Sequence, residues 1–310
     1  MRNLNFEVYG KKEPTKENFG GHENFFLKSG FIKQGDSILD IGGASGAFLE
    51  MINKEICPIK GTVIDLDLDC LEYGNKQYPH MDFIHGAFPT SRFLKDRKFD
   101  HVTMLALFPH LKNWKAAVRG MVDLAKKYIC FAAIVREYGA TIEDDEVSFL
   151  YYLNTGKRVS QNILNLHEFL NFLCLQEIRA KRIIFYGAHM FDFQEHWDKD
   201  MLVVKKECEE VGEKPRQSLQ EVNRKSHVFR GIPFYDEIVG SFTVELFDEN
   251  DNPQRMGGLG LDGDKFEEYK FFTPDIAVYL DGMVYLIVRG AEQKIYYNVG
   301  SLLNAPTFFK

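Results

Sequence analysis

Cysteine, basic runs and long apolar stretches are all scarce in this chain, and each scarcity closes off a class of protein. Five cysteines (Cys57, Cys70, Cys130, Cys174 and Cys208) are scattered through 310 residues with no Cys-x-x-Cys spacing. They support neither a disulfide framework nor a zinc site, and read as reduced thiols of a cytoplasmic protein. Net charge is −7 and no long basic run occurs, so the electrostatic footprint of a nucleic-acid binder is missing. The longest apolar run, Tyr128 to Val135, is far shorter than the roughly 20 residues that span a bilayer and suits a central strand. Residues Met1 to Glu7 carry no apolar signal-peptide core, so no membrane partner is expected.

What is present is a core-forming composition, 45% hydrophobic, long enough for one large domain or two smaller ones. Short apolar strands alternate with helical segments, the pattern of an α/β sheet covered on both faces. Strands are predicted at 37–41, 61–66, 82–85, 101–107, 128–135, 182–186 and 201–204. Trp114, Ala117, Val118, Met121, Val122 and Ala125 recur at helical spacing and predict a helix between the fourth and fifth strands. Asn165-Leu-His-Glu168 reads as a capping box opening a helix with Leu166, Phe169, Leu170 and Leu173 on its buried stripe.

The segment Ser37-Ile-Leu-Asp-Ile-Gly-Gly-Ala-Ser-Gly-Ala-Phe48 reads as a strand, a glycine turn and a helix start. Such a turn offers backbone N–H groups to an anion, and a carboxylate closing the next strand, Asp65, suits ribose hydroxyls. The nicotinamide and flavin fingerprint fails at its third and sixth positions, occupied by Ala44 and Ala47, and no Gly-Lys-Ser/Thr of a Walker loop is present. The remaining pattern, Ile38-Leu-Asp-Ile-Gly-Gly-Ala-Ser-Gly46, resembles the first motif of the class I S-adenosylmethionine-dependent methyltransferases, which usually carry a further glycine where Ala44 stands. The resemblance continues through Asp65 and through Lys98-Phe-Asp-His-Val102 before the fourth strand.

The resemblance implies a Rossmann-like seven-stranded sheet with helices on both faces, its last strand antiparallel between its neighbours. The implied cofactor is S-adenosylmethionine. Asp40 would order the loop and help hold the amino group of the methionine part. Gly42, Gly43, Ala44 and Gly46 would let the backbone approach the ligand, the methyl of Ala44 resisting a positive φ. Asp65 would take the ribose hydroxyls, followed by Leu66. Where the family commonly has an aspartate for the adenine amino group, this chain has Ala87, leaving the backbone N–H and ring of Phe88 to address the base. His110 stands at the rim, where an imidazole is either a general base or a wall of the pocket. Arg136, Glu137 and Tyr138 after the fifth strand, with Tyr9 and His22 near the N-terminus, are the acceptor-binding candidates.

Residues 140–163 interrupt the usual order and are expected to build the acceptor pocket. Their acidic run, Glu143-Asp-Asp-Glu146, reads as a solvated helix start and not as a metal site. Asp248-Glu-Asn-Asp-Asn252 fails as a calcium loop, because Pro253 and Leu259 replace the required glycine and glutamate. The boundaries predicted are a methyltransferase domain over 1–210, a charged linker over 211–230 and a small antiparallel β domain over 231–310. The last is marked by a hairpin around Asp281-Gly282 and is a candidate for homodimerisation. The predicted activity is methyl transfer to an oxygen or nitrogen of a small polar molecule such as a sugar. The alternative is a catalytically silent scaffold that keeps the fold.

Overall fold

The computed structural model describes residues 10–15, 19, 27, 29–90, 92–105, 107–137, 139–143, 149–152, 157–175, 177–189, 219–223, 226–230, 237–248, 255–256, 271–272, 274–280, 283–289 and 294–296. Its first half follows the predicted alternation: β1 (Ser37–Ile41), α1 (Ala47–Glu55), β2 (Lys60–Asp65), α2 (Leu68–Gln77), β3 (Asp82–His85), β4 (Phe99–Met104), α3 (Trp114–Leu124) and β5 (Ala125–Arg136). β1 is buried on both faces, which is why it reads as an unbroken apolar run and pairs in parallel on both sides, with β2 and β4. α2 and α3 start where side chains cap them: Asp67 accepts from the Cys70 N–H at 3.2 Å and Asn113 from the Ala116 N–H at 3.0 Å. α3 buries Trp114, Ala117, Val118 and Met121, the predicted stripe.

The second half continues with β6 (Phe149–Tyr152), β7 (Lys157–Ser160), β8 (Leu164–Asn165), α4 (Leu166–Leu173), β9 (Ala180–His189), β10 (Leu219–Asn223), β11 (Ser226–Arg230), β12 (Glu237–Leu246), β13 (Arg255–Met256), β14 (Phe271–Phe272), β15 (Asp275–Leu280), β16 (Met283–Arg289) and β17 (Lys294–Tyr296). The main sheet runs β17-β16-β15-β9-β12-β5-β4-β1-β2-β3, with β8 added to the end of β5. From β5 to β3 all neighbours are parallel, whereas β12 is antiparallel to both β5 and β9.

The antiparallel strand between its neighbours is therefore β12, at 237–246 and not at 201–204, a segment outside the described residues. Two further expectations change with it. A separate β domain over 231–310 does not describe the strands, because β12 lies inside the main sheet and β15, β16 and β17 extend it beyond β9. Residues 241–247, within that predicted β domain, belong to a sheet centre: Phe242 and Val244 are fully buried. A linker over 211–230 fails as well. β10 and β11 form a hairpin, and β11 pairs with β6 of the 140–163 insertion in a second, four-stranded sheet. The predicted hairpin at Asp281-Gly282 is borne out by the β15–β16 pairing, Leu280 opposite Met283.

α4 carries half of the predicted capping box. Asn165 accepts from the Glu168 N–H at 2.8 Å, but the Glu168 carboxylate accepts from the Thr141 hydroxyl at 2.6 Å instead of turning back to the cap. An aromatic ladder ties these parts together: the ring of Phe108 packs on Phe131 at 4.6 Å, Phe131 on Phe242 at 5.6 Å, and Phe242 on Phe185 at 4.3 Å, with Phe169 set edge-on. Each buried ring contributes roughly 2–3 kcal/mol, so the ladder holds the turn that carries His110 firmly against the sheet centre. Among the described residues, no helix is long and apolar enough to cross a membrane.

Candidate functional site

Because β1 to β5 are parallel, their carboxyl ends open on one edge of the sheet, and the strand order reverses between β1 and β4. A crevice at such a reversal is where open α/β sheets take ligands. The turn after β1 forms its floor. Gly42 has φ +73° and donates its N–H to Ile64 at 2.8 Å; a β-carbon there would meet the Leu107 side chain at 3.0 Å. Gly43 leaves room for the carboxylate beneath it, since a β-carbon would lie 2.5 Å from Asp40 Oδ2. Ala44 takes φ +49° despite its methyl group. The turn adopts the left-handed conformation that its composition was expected to resist, at a cost of about 1–2 kcal/mol.

Asp40 is buried under this turn and accepts the Thr103 hydroxyl at 2.7 Å. Burial raises its carboxyl, as does the charge of Asp65, while the Thr103 bond opposes them; the result is about 7. Asp40 thus shapes the loop from below. Asp65 closes β2 beside it: Oδ2 accepts the Ala44 N–H at 2.9 Å and Oδ1 the Asp67 N–H at 2.8 Å. Each oxygen keeps a lone pair, so the carboxylate both clamps the turn and retains capacity for hydroxyl donors. Leu66, which follows it, is 68% exposed and presents an apolar surface at the mouth.

His110 lies across the crevice, on the turn after β4. Its Nδ1 is 2.7 Å from the Ser160 carbonyl. A carbonyl only accepts, so Nδ1 carries the hydrogen and Nε2 keeps the lone pair. Burial lowers the imidazole pKa, which favours the neutral ring, and the Ser160 bond partly opposes it. The surrounding staple is dense. Asn162 donates its N–H to Pro109 at 2.6 Å and its side-chain amide to Leu111. β8 pairs with Val135 and Arg136 beyond the end of β4, which carries residues 160–163 over that strand's line and next to His110.

Two buried acceptor atoms have no partner: Asn162 Oδ1, beside this turn, and Glu137 Oε1, just after β5. The bond to Leu111 fixes the Asn162 amide so that its oxygen is the end left over. Arg136 behaves otherwise, turning back to donate to Ala140 against Gly139, so it secures the bend after β5. Ala87 is exposed at the end of β3. The Phe88 ring, expected over the adenine, instead faces α3, where a β-carbon on Gly120 would meet it at 2.9 Å. Packing against the main core outcompetes a solvent-facing ring. Tyr9, His22 and Tyr138 lie outside the described residues, as do three members of the acidic run. Among the described residues no group of three or more His, Cys, Asp or Glu side chains is placed to hold a metal ion.

Thr103, Ser160 and Asn162 were not legible as site residues. Each acts through a contact some 50 to 63 residues away in sequence, which no local spacing encodes.

Solved structures with a similar arrangement include coclaurine N-methyltransferase bound to N-methylheliamine and S-adenosylhomocysteine (17% identity, TM-score 0.41, covering 55% of this chain and 51% of that one). Others are the N-terminal domain of EvdMO1 with S-adenosylhomocysteine and D-fucose (10%, 0.44, 73% and 80%) and an O-methyltransferase family protein from Burkholderia thailandensis (13%, 0.31, 36% and 36%). The chain spans about half the length of the coclaurine enzyme and about a third of the Burkholderia protein. No curated protein matches it in sequence. Residues 38–128, from β1 through β5's first residues, match the family described as "Methyltransferase domain". That segment, less than half of the chain, is thus similar in sequence to a methyltransferase domain.

Proposed function

We propose that this chain transfers a methyl group from S-adenosylmethionine to an oxygen or nitrogen of a small polar molecule rich in hydrogen-bond donors. The observation that carries the reading is the placement of His110. Its Nε2 keeps a lone pair on a turn whose Leu107 borders Gly42 of the glycine loop, and the acceptor oxygens of Asn162, beside that turn, and Glu137, after β5, lie unpartnered. A buried acceptor without a partner costs about 1–3 kcal/mol, a cost that a donor-bearing substrate removes on binding.

The residues present fit the cofactor. Gly43 leaves its β-carbon space to Asp40, and Asp65 retains free lone pairs beside the turn. When bound, the cofactor supplies a methyl carbon already activated by its sulfonium, so the protein's share is alignment and water exclusion. Asp65 holds the ribose hydroxyls, the loop backbone takes the carboxylate end, and Asp40 beneath it favours the ammonium. His110 Nε2 accepts the proton of the incoming hydroxyl or ammonium, and the Ser160 carbonyl stabilises the imidazolium through Nδ1–H.

Incubation with S-adenosylmethionine and paired substrates, such as catechol and its dimethyl ether or an amino sugar and its N,O-capped form, tests this. S-adenosylhomocysteine should form with the uncapped members only. His110→Gln should lower kcat about 100-fold with KM changed less than about threefold. A full rate in that variant would reduce His110 to pocket wall. A second reading, a silent scaffold, draws on Ala87 and on the inward Phe88 ring; it predicts no turnover with any acceptor.

A further inference from the structure

We propose that His85, at the carboxyl end of β3, recognises the exocyclic amino group of the cofactor's adenine. The inference rests on the cofactor reading above. Along the crevice the carboxyl ends run in the order β4, β1, β2, β3, so His110, the glycine turn, Asp65 and His85 follow one another. The transferred methyl must face His110 and the ribose must meet Asp65. The base then lies on the far side of Asp65, over the end of β3.

What stands there is His85. It pairs in register with Asp65 across the parallel β2–β3 ladder. Both share one face of the sheet: Val63 and Phe83, two residues earlier on each strand, both border the space at Gly46. The imidazole leans across the mouth, with Nε2 at 3.2 Å from the Leu66 carbonyl oxygen. That oxygen only accepts, so Nε2 carries the hydrogen and the neutral ring's Nδ1 is left as an acceptor. An amino group is the donor that such an atom takes. The exposed side chain of Leu66 lies beside it as apolar cover for a planar ring. The turn that follows supplies neither feature, since Ala87 has no side-chain acceptor and the Phe88 ring faces Gly120 on α3. His85 thus makes up for what the turn lacks.

The test compares S-adenosylhomocysteine with S-inosylhomocysteine, which carries an acceptor oxygen in place of the amino group, by titration calorimetry at about pH 8, where an imidazole is neutral. Wild type should prefer the adenosyl ligand about tenfold, the worth of one hydrogen bond. His85→Ala should weaken the adenosyl ligand by about the same factor while moving the inosyl ligand less than about twofold, so the preference collapses. His85→Gln, which restores an acceptor oxygen, should recover part of it. An equal loss for both ligands would assign His85 to packing and overturn the inference, as would a preference that survives in His85→Ala. A wild type that binds both ligands equally removes this inference alone. A wild type that binds neither removes the cofactor reading with it.

Discussion

The two edges of the central sheet treat buried charge in opposite ways. At the amino edge, before β1 and β4, Asp36 accepts from His101 Nε2 at 2.8 Å, from the Lys33 N–H at 2.8 Å and from Lys127 Nζ at 3.0 Å. Asp100 accepts both the Ser37 N–H and hydroxyl, at 2.9 and 2.8 Å, and pairs with the same lysine at 3.0 Å. Burial alone would raise both carboxyls, but these bonds outweigh it and hold them below the ordinary range. The His101 ring stacks on Tyr128, and Tyr128 on Phe31, closing the network from the side. At the carboxyl edge, Asp40 is raised to about 7, Ala44 is held at positive φ, and Asn162 and Glu137 keep orphan oxygens. The two aspartates of one edge are lowered by their partners, whereas Asp40 at the other is raised. The same strands provide both, and the candidate site lies at the edge with the raised carboxyl.

The largest effect should come from breaking the amino edge. Asp36→Ala removes three hydrogen bonds to one buried carboxylate and leaves His101 and the Lys33 N–H without it. Chemical denaturation should show a loss of about 3 kcal/mol, while turnover per folded molecule stays unchanged. The sign at acid pH follows from the lowered carboxyls. Their contribution is present above the unfolded carboxylate range and is lost as pH falls, so the variant and wild type converge in acid.

The carboxyl edge should respond with the opposite sign. Asp40's folded carboxyl is raised, so wild type loses stability as pH climbs through about 7. Asp40→Asn is neutral throughout. It should be more stable than wild type by about 2 kcal/mol near pH 8, with the advantage vanishing near pH 4, as read from melting temperatures across pH. Cofactor affinity should fall in the same variant. Ala44→Gly is the smallest change: relief of a left-handed alanine, offset by greater unfolded-state freedom, should leave a gain of up to about 1 kcal/mol in denaturant midpoints. A loss of stability in either variant would remove the contrast between the edges.

The sequence revealed this fold where its signals are local. Ile38 to Ile41, Val63 to Asp65 and the Trp114 stripe each declare an element within a few residues, and the glycine turn declares the crevice. What it concealed was pairing over distance. The Glu237–Leu246 alternation fits an edge strand as well as a central one, and only its register between β5 and β9 decides. The β11–β6 pairing, which turns an apparent linker into sheet, joins residues far apart in the chain. Asp40, the glycines and Asp65 were singled out through the motif resemblance, and the structure brings them together around one turn. Ser160 and Asn162, which set the tautomer and surroundings of His110, were not singled out, because the insertion that carries them has no pattern of its own.

The central claim is that the glycine turn and Asp65 grip one nucleoside cofactor. Calorimetric titration of S-adenosylhomocysteine into wild type and into Asp65→Ala tests it most directly. The account predicts one site per chain, with affinity reduced about 30-fold or more in the variant for the loss of two hydroxyl bonds to a charged acceptor. No binding to wild type, or equal binding to a folded Asp65→Ala, would contradict it.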